Sequence, residues 1–208
     1  MPVNRDAQKG MHMKPIYVIP LAVIVVLIIA DQIARKRSID KATRLYASGR
    51  FSDLVDYLDS WYPRLFYMSY IRQRMKFKAF EAMGKTDLAE DCLDLLFASS
   101  PAKAQLADLL IQAFTFYMSS GKFKKAEEIL ARIEENPDLK DAAPELRKVY
   151  EIQAKGDSSH IEEMETQVSK ASGADALRLY LLIAKQYENK GDNEKADFYR
   201  AKAKHVNS

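Results

Sequence analysis

The chain has 208 residues, of which 48% are hydrophobic and 29% are charged, with seven Gly, seven Pro and a single Cys. A formal net charge of +3 gives no global argument for nucleic-acid binding, and one cysteine excludes an intrachain disulfide and a multi-cysteine metal site. Helix-forming residues dominate and no Asn-Gly or Asp-Gly turn occurs, so the composition predicts an all-α fold.

A charge-free apolar stretch follows a predicted N-terminal tail over residues 1–15. Residues 16–30 read IYVIPLAVIVVLIIA, and the apolar character extends to Ala34. As a helix, residues 16–34 measure about 28 Å, close to the ~30 Å hydrocarbon core of a bilayer. We therefore predict a retained transmembrane helix over residues 16–34. Its predicted membrane flank is the basic triplet Arg35, Lys36 and Arg37.

Two other interpretations of this segment stay open. A cleaved signal peptide would need a second small residue shortly before the cleavage site. Ala30 has Ile28 two positions before it and Ala34 has Asp31 three positions before it, so neither alanine forms such a site. A buried core helix is also possible, although every face of the segment is apolar. No Gly or Pro lies between Leu21 and Ser48, so the membrane helix is predicted to continue into the first helix beyond the bilayer.

The distribution of cations predicts the orientation in the membrane. Three cations precede the apolar segment, and five lie within residues 31–45. The positive-inside bias therefore places the C-terminal part in the cytoplasm. The opposite, extracytoplasmic orientation stays an alternative, because long domains cross membranes regardless of their charge.

Five of the seven glycines recur at intervals of 35 to 37 residues. A near-constant period in this range is typical of stacked supersecondary units. Apolar residues at spacings of three and four flank the glycines, which predicts a pair of antiparallel helices in each unit. Each glycine is expected to adopt the left-handed conformation that ends the first helix of its pair. These repeat-turn glycines are Gly49, Gly84, Gly121, Gly156 and Gly191.

The units keep this pattern to different degrees. In the first unit, one apolar helix face is predicted to hold Phe51, Leu54, Leu58 and Trp61. In the fourth unit, Glu165 stands where an apolar residue is expected. The second helix of that unit is therefore predicted to shift its register or to pack poorly.

The third unit carries the most specific pattern, because Gly121, Phe123, Ala126 and Pro137 follow one another in a familiar order. This order resembles the tetratricopeptide repeat, in which an aromatic residue, an alanine and a proline follow the glycine. The other units match in part, and the resemblance covers residues 35–208. It implies an α-solenoid of about five helix-turn-helix repeats after the membrane helix.

The same resemblance implies a binding groove, because the first helices of successive tetratricopeptide units line a concave surface. Such a partly basic lining would suit a protein or peptide partner that is acidic or presents a C-terminal carboxylate. The groove residues that it implies are Arg74, Lys78, Ile111, Thr115, Arg178 and Lys185.

No cofactor, metal or catalytic site is predicted. The three histidines are isolated, with no second His, Cys or paired carboxylate at ligand spacing, and no phosphate-binding loop or nucleophile elbow occurs. Cys92 lies on an apolar stripe and is predicted to be a core residue. Residues 61–80 interleave aromatic and basic residues, which we interpret as core packing with a solvated rim and not as a nucleic-acid surface.

Together these patterns favour a single-pass, membrane-anchored scaffold or adaptor that binds a protein partner without catalysis. A first alternative is an extracytoplasmic protein that assists the assembly or quality control of exported proteins. A second is a non-catalytic domain of an enzyme complex, or a helical enzyme without a recognised motif.

Overall fold

The structure, a computed structural model, describes residues 15–206, with the backbone alone for residues 15–22 and Phe66. These residues form eleven α-helices and one 3-10 turn and contain no strand, which confirms the all-α fold. The predicted tail over residues 1–15 lies outside the described residues, apart from Pro15.

Helix α1 (Pro15–Ala47) is one uninterrupted helix of 33 residues. At 1.5 Å per residue it is about 50 Å long. The expectation that the apolar segment continues without a break into the following helix is therefore confirmed. In the described part of the chain, no helix is both long enough and apolar enough to cross a membrane. The side chains of residues 16–22, part of the predicted span, lie outside that description.

The chain divides into two compact units, one ending at Cys92 and the other beginning at Leu93. The division falls within α5 (Thr86–Ala98). The other helices of the first unit are α1, α2 (Phe51–Asp59), α3 (Trp61–Phe66) and α4 (Ser69–Ala82). The second unit holds α6 (Lys103–Ser119), α7 (Phe123–Glu134), the 3-10 turn Pro137–Leu139, α8 (Ala143–Ala154), α9 (Ile161–Val168), α10 (Gly173–Asn189) and α11 (Asn193–Val206).

Four of the five repeat glycines end a helix with the same pair of backbone hydrogen bonds. At Gly121, the glycine N–H donates to the carbonyl of Met118 (3.2 Å) and the Lys122 N–H donates to the carbonyl of Tyr117 (2.9 Å). This is the Schellman arrangement, and it needs the positive φ of 69° that Gly121 adopts. The same two bonds recur at Gly49, Gly84 and Gly191.

The residue five positions after each of these four glycines is fully buried. It belongs to the second helix of the pair, and α7 packs on α6 as α11 packs on α10. A small side chain there lets the two helices approach closely, which explains why three of the four residues are alanines. The residues are Leu54, Ala89, Ala126 and Ala196.

The first unit departs from the predicted helix face at Trp61. Helix α2 ends at Asp59 because Ser60 adopts an extended backbone with ψ of 162°, and Trp61 then begins α3. Leu58 is fully buried, whereas Trp61 is 72% exposed. The expectation that Trp61 continues the buried face is therefore wrong, because the chain changes direction before it.

Each unit has its own core. In the first, Ala42 and Leu45 of α1 pack with Leu54 and Leu58 of α2 and with Ala79 of α4. In the second, the core joins α8, α9, α10 and α11, and its buried members include Ile152, Met164, Leu179, Ile183 and Ala196.

Candidate functional site

Three helices of the second unit line one concavity with a volume of about 390 Å³. They are α6, α8 and α10, which alternate along the chain with α7 and α9. The lining residues are Phe114, Thr115, Met118 and Ser119 on α6, Leu146, Val149 and Gln153 on α8, and Arg178, Leu181 and Leu182 on α10.

The lining combines apolar side chains with the polar side chains of Thr115, Ser119, Gln153 and Arg178. Leu181 is 50% exposed, so it offers an apolar contact to a ligand. Thr115 Oγ1 donates to the carbonyl of Ile111 (2.9 Å), which leaves its oxygen lone pairs available as acceptors. Such a surface can take up an apolar side chain and hydrogen-bond the backbone beside it.

Arg178 is the single cation of this lining among the described residues. Its guanidinium lies 3.9 Å from Glu145 Oε2, and both side chains are about half exposed. An exposed ion pair of this kind contributes about 0–1 kcal/mol. A carboxylate on a bound partner can therefore displace Glu145 from Arg178 at little free-energy cost.

The structure brings together two of the six predicted groove residues. Thr115 and Arg178 line the concavity, whereas Ile111 on α6 and Lys185 on α10 are not among its described lining residues. Lys185 Nζ instead donates to Glu188 Oε1 (2.9 Å). Arg74 and Lys78 lie on α4 in the first unit.

Sequence analysis missed the contribution of α8 to the concavity. The fourth unit has the weakest repeat pattern, so no groove residue was assigned to its first helix. Leu146, Val149 and Gln153 are spaced by three and four residues, which is the spacing of one helix face. This helical spacing is the sequence signal that could have identified α8 as part of the lining.

The turn at Gly156 differs from the other four. Gly156 also has a positive φ, of 73°, but the Asp157 N–H donates to the carbonyl of Glu151 and α9 begins only at Ile161. Two side chains of α10 hold the intervening loop. Asn189 Nδ2 donates to the carbonyls of Ile152 (2.7 Å) and Asp157 (3.0 Å), and the His160 N–H donates to Oε1 of Gln186 (2.9 Å). Gln186 is fully buried, so α10 holds this loop from the interior of the unit.

The same loop brings three potential metal ligands together. One ligand atom each from Glu151, Asp157 and His160 lies within 4.8 Å of the others, an association that the sequence analysis did not predict. Imidazole and carboxylate groups suit several divalent metals. His160, however, has Nε2 3.3 Å from Asp157 Oδ2 and Nδ1 3.6 Å from Glu163 Oε2, so both ring nitrogens face carboxylates. In this geometry His160 links Asp157 of the loop to Glu163 in the first turn of α9.

Glu165, the unexpected polar residue of the fourth unit, has a structural role. Its Oε1 accepts hydrogen bonds from the hydroxyls of Tyr187 (2.8 Å) and Tyr199 (2.7 Å), so it joins α9 to both α10 and α11. The two rings stack with their centroids 5.6 Å apart. Burial, followed by the hydrogen bond to Glu165, raises the pKa of Tyr187 to about 12. The second helix of this unit is thus anchored by a polar contact where the repeat pattern has an apolar one.

Cys92 lies in the core, as expected. It is 4% exposed, and burial raises the pKa of its thiol. A thiol held in its protonated form is a poor nucleophile. The geometry therefore gives Cys92 a packing role.

Comparisons of the chain with protein-family models, with curated proteins and with solved structures found no match. The resemblance to tetratricopeptide repeats therefore stays a prediction from the residue pattern.

Proposed function

We propose that this protein is a single-pass membrane scaffold whose helix pairs stack as a tetratricopeptide-like α-solenoid and bind a protein partner through the concavity of α6, α8 and α10. Residues 16–34 would form the transmembrane anchor, and the repeat region would follow directly on it. The observation that carries the binding role is the concavity itself, to which α6, α8 and α10 contribute.

The anchor is supported by the described side chains of the apolar segment. Residues 23–29 are seven consecutive large apolar residues, each between 46% and 63% exposed. A helix that is apolar on every face needs an apolar environment on every face. A bilayer supplies one.

Lysine substitutions within α1 test the anchor. Val25→Lys with Val26→Lys places two cations at the centre of the proposed span, where each disfavours insertion by about 2.5–3.5 kcal/mol. We expect this variant to leave the membrane fraction on alkaline extraction while the unchanged chain stays. Ile39→Lys with Tyr46→Lys is the matched control, since both residues are exposed on α1 beyond the span. Equal membrane retention of all three chains would contradict the anchor.

Cysteine labelling distinguishes the cytoplasmic from the extracytoplasmic orientation. The buried Cys92 is first replaced by alanine, and Lys190→Cys then supplies an exposed thiol in the turn before Gly191. If the repeats face the cytoplasm, a membrane-impermeant maleimide labels this thiol only after the cells are permeabilised. Labelling of intact cells would favour the extracytoplasmic alternative.

The partner that best fits the concavity is a peptide segment with an apolar side chain for Leu181 and a carboxylate for Arg178. A photo-reactive amino acid at position 115 or 181 should cross-link to one partner in intact membranes. Position 198 is the matched control, because Phe198 is 53% exposed on α11 and does not line the concavity. Cross-links that are equally strong at position 198 would show that the concavity is not the binding site.

A further inference from the structure

Three exposed apolar residues, Trp61 and Leu65 on α3 and Met68 just before α4, form a cluster along the chain. Trp61 is 72%, Leu65 is 65% and Met68 is 73% exposed. Trp61 and Leu65 are four residues apart and therefore share one side of α3. Large exposed apolar side chains grouped closely along the chain indicate a site of interaction with a protein or a membrane.

Helix α3 lies beside the end of the proposed membrane anchor. The Tyr57 hydroxyl of α2 is 2.7 Å from Ser38 Oγ, and the Tyr62 hydroxyl of α3 donates to the carbonyl of Ala34 (3.4 Å). The chain thus returns along α1 toward its N-terminal end. Ala34 is the last residue of the segment 16–34, so α3 sits at the level where that segment would leave the bilayer.

The residues around the cluster suit a lipid headgroup region. Tryptophan and tyrosine favour the membrane–water interface, because their rings are apolar and carry one polar group. Trp61 and Tyr62 are consecutive, with ring centroids 5.7 Å apart. Arg64 is exposed on α3, and the basic triplet of residues 35–37 follows Ala34 on α1. Each cation near an anionic membrane surface contributes roughly 1 kcal/mol of attraction.

We propose that Trp61, Leu65 and Met68 form a second membrane contact, with α3 lying in the headgroup region of an anionic bilayer. This inference rests on the proposed anchor, because Ala34 defines the membrane boundary. The contact would bind the first unit to the bilayer at two places instead of one. The unit would then keep a fixed tilt on the membrane and could not rotate freely about α1.

Trp61 reports on this contact directly, because it is the only tryptophan in the chain. The full-length protein is reconstituted into phosphatidylcholine–phosphatidylglycerol vesicles, and its emission is recorded in two quenching experiments. In one, the lipids carry bromine on acyl carbons close to the headgroup; in the other, iodide is present on both sides of unbrominated vesicles. We expect a shift of the emission to shorter wavelength, loss of most of it with the brominated lipids, and little loss with iodide.

Paired substitutions test whether the neighbouring apolar residues hold Trp61 in the lipid. Leu65→Asp with Met68→Asp should move the emission to longer wavelength, reduce quenching by brominated lipid and increase quenching by iodide. Leu88→Asp is the matched control, because Leu88 is 43% exposed on α5 of the same unit. It should leave all three readings unchanged. Circular dichroism of each variant shows whether the helices remain folded, and if the paired variant loses helix, the readings of the unchanged chain decide.

The possible results separate this inference from the anchor on which it rests. If the chain floats with the vesicles but iodide quenches Trp61 and brominated lipid does not, the second contact is wrong and the anchor stands. If neither quencher reaches Trp61, protein covers the cluster, as in contact with a second copy of the chain, and the inference is overturned. If the chain does not float with the vesicles, the anchor itself is wrong and the inference falls with it.

Discussion

The two compact units differ in where their large apolar side chains lie. In the described part of the first unit, exposed apolar residues run along α1 from Val23 to Ile29 and gather again at Trp61, Leu65 and Met68. In the second unit, exposed large apolar residues are scattered, with Leu181 in the concavity and Phe198 on α11. Scattered exposure is ordinary for a protein surface, whereas contiguous exposure points to a further contact. This contrast supports the proposal that the first unit contacts a bilayer.

Both units contain side-chain hydrogen bonds between helices, and in the second unit such bonds also hold an irregular turn. In the second unit, Gln186, Asn189 and Glu165 join helices that repeat packing alone would join with apolar side chains. The bonds of Gln186 and Asn189 hold the longer loop that stands at Gly156 in place of the regular turn. Neighbouring helices of this chain are therefore joined by apolar packing at some places and by side-chain hydrogen bonds at others.

The largest expected effect is a loss in the free energy of unfolding when a buried leucine of the second unit, and not an exposed leucine of the first, is replaced by alanine. Leu130 on α7 is fully buried and Leu65 on α3 is 65% exposed. We expect Leu130→Ala to lower the free energy of unfolding by about 2–5 kcal/mol, because it removes buried methyl groups and leaves a cavity. Leu65→Ala should change it by less than about 0.5 kcal/mol. Denaturant titration of the full chain in detergent, followed by circular dichroism, measures the free energy of unfolding of each variant. Similar losses in the two variants would show that Leu130 is not buried more deeply than Leu65.

The polar contact at Glu165 should have the next largest effect. Glu165→Ala leaves the hydroxyls of Tyr187 and Tyr199 without their acceptor, at an expected loss of about 1–3 kcal/mol. Hydrogen exchange of the α10 and α11 amides measures this loss locally. Glu162→Ala is the control, since Glu162 is exposed on the same helix. Equal exchange rates in the two variants would mean that the contact contributes nothing to stability.

The repeat turns test what the two units share. Gly49 lies in the first unit and Gly121 in the second, with φ of 71° and 69° and the same backbone hydrogen bonds. Replacing either glycine with alanine should destabilise its unit by about 1–2 kcal/mol, because an L side chain is strained in this conformation. An added Cβ would meet nothing within 4 Å at either position, so a clash is not the cause. Lys124→Ala, at an exposed position of α7, should have almost no effect. Unequal losses at the two glycines would show that the turns are not equivalent.

The last expected effect, seen only at alkaline pH, is a loss of stability in the second unit. The folded state raises the pKa of Tyr187 from 10.0 to about 12, first through burial and then through Glu165, so it favours the neutral phenol. The stabilisation is present below pH 10 and is lost as the pH rises through about 12. Spectrophotometric titration of the full chain should show Tyr187 ionising late. Glu165→Gln should move that step to lower pH, and an unchanged step would exclude the carboxylate as a cause.

Much of the fold follows from local rules, and particular residues show where these rules stop. The glycine period locates the helix ends, because a residue that closes a Schellman turn must tolerate a positive φ whatever surrounds it. Leu54 and Ala126 fall on buried faces because helical spacing is a property of the backbone. Trp61 does not, since one extended residue at Ser60 is enough to turn the next helix away. The α8 side of the concavity was not predicted for a different reason: helical spacing marks one face of α8, but it does not show which other helices that face meets.

By itself, the sequence determined the helical class, the continuity of α1 and the ends of the helices that precede the repeat glycines, because each depends on residues within about one turn of one another. The tertiary structure decided which residues meet across the chain. It placed Thr115 and Arg178 in one concavity, joined Glu165 to two tyrosines, and set Tyr62 against Ala34. Those contacts depend on how helices pack, and packing is the sum of many distant side-chain choices that no local pattern records.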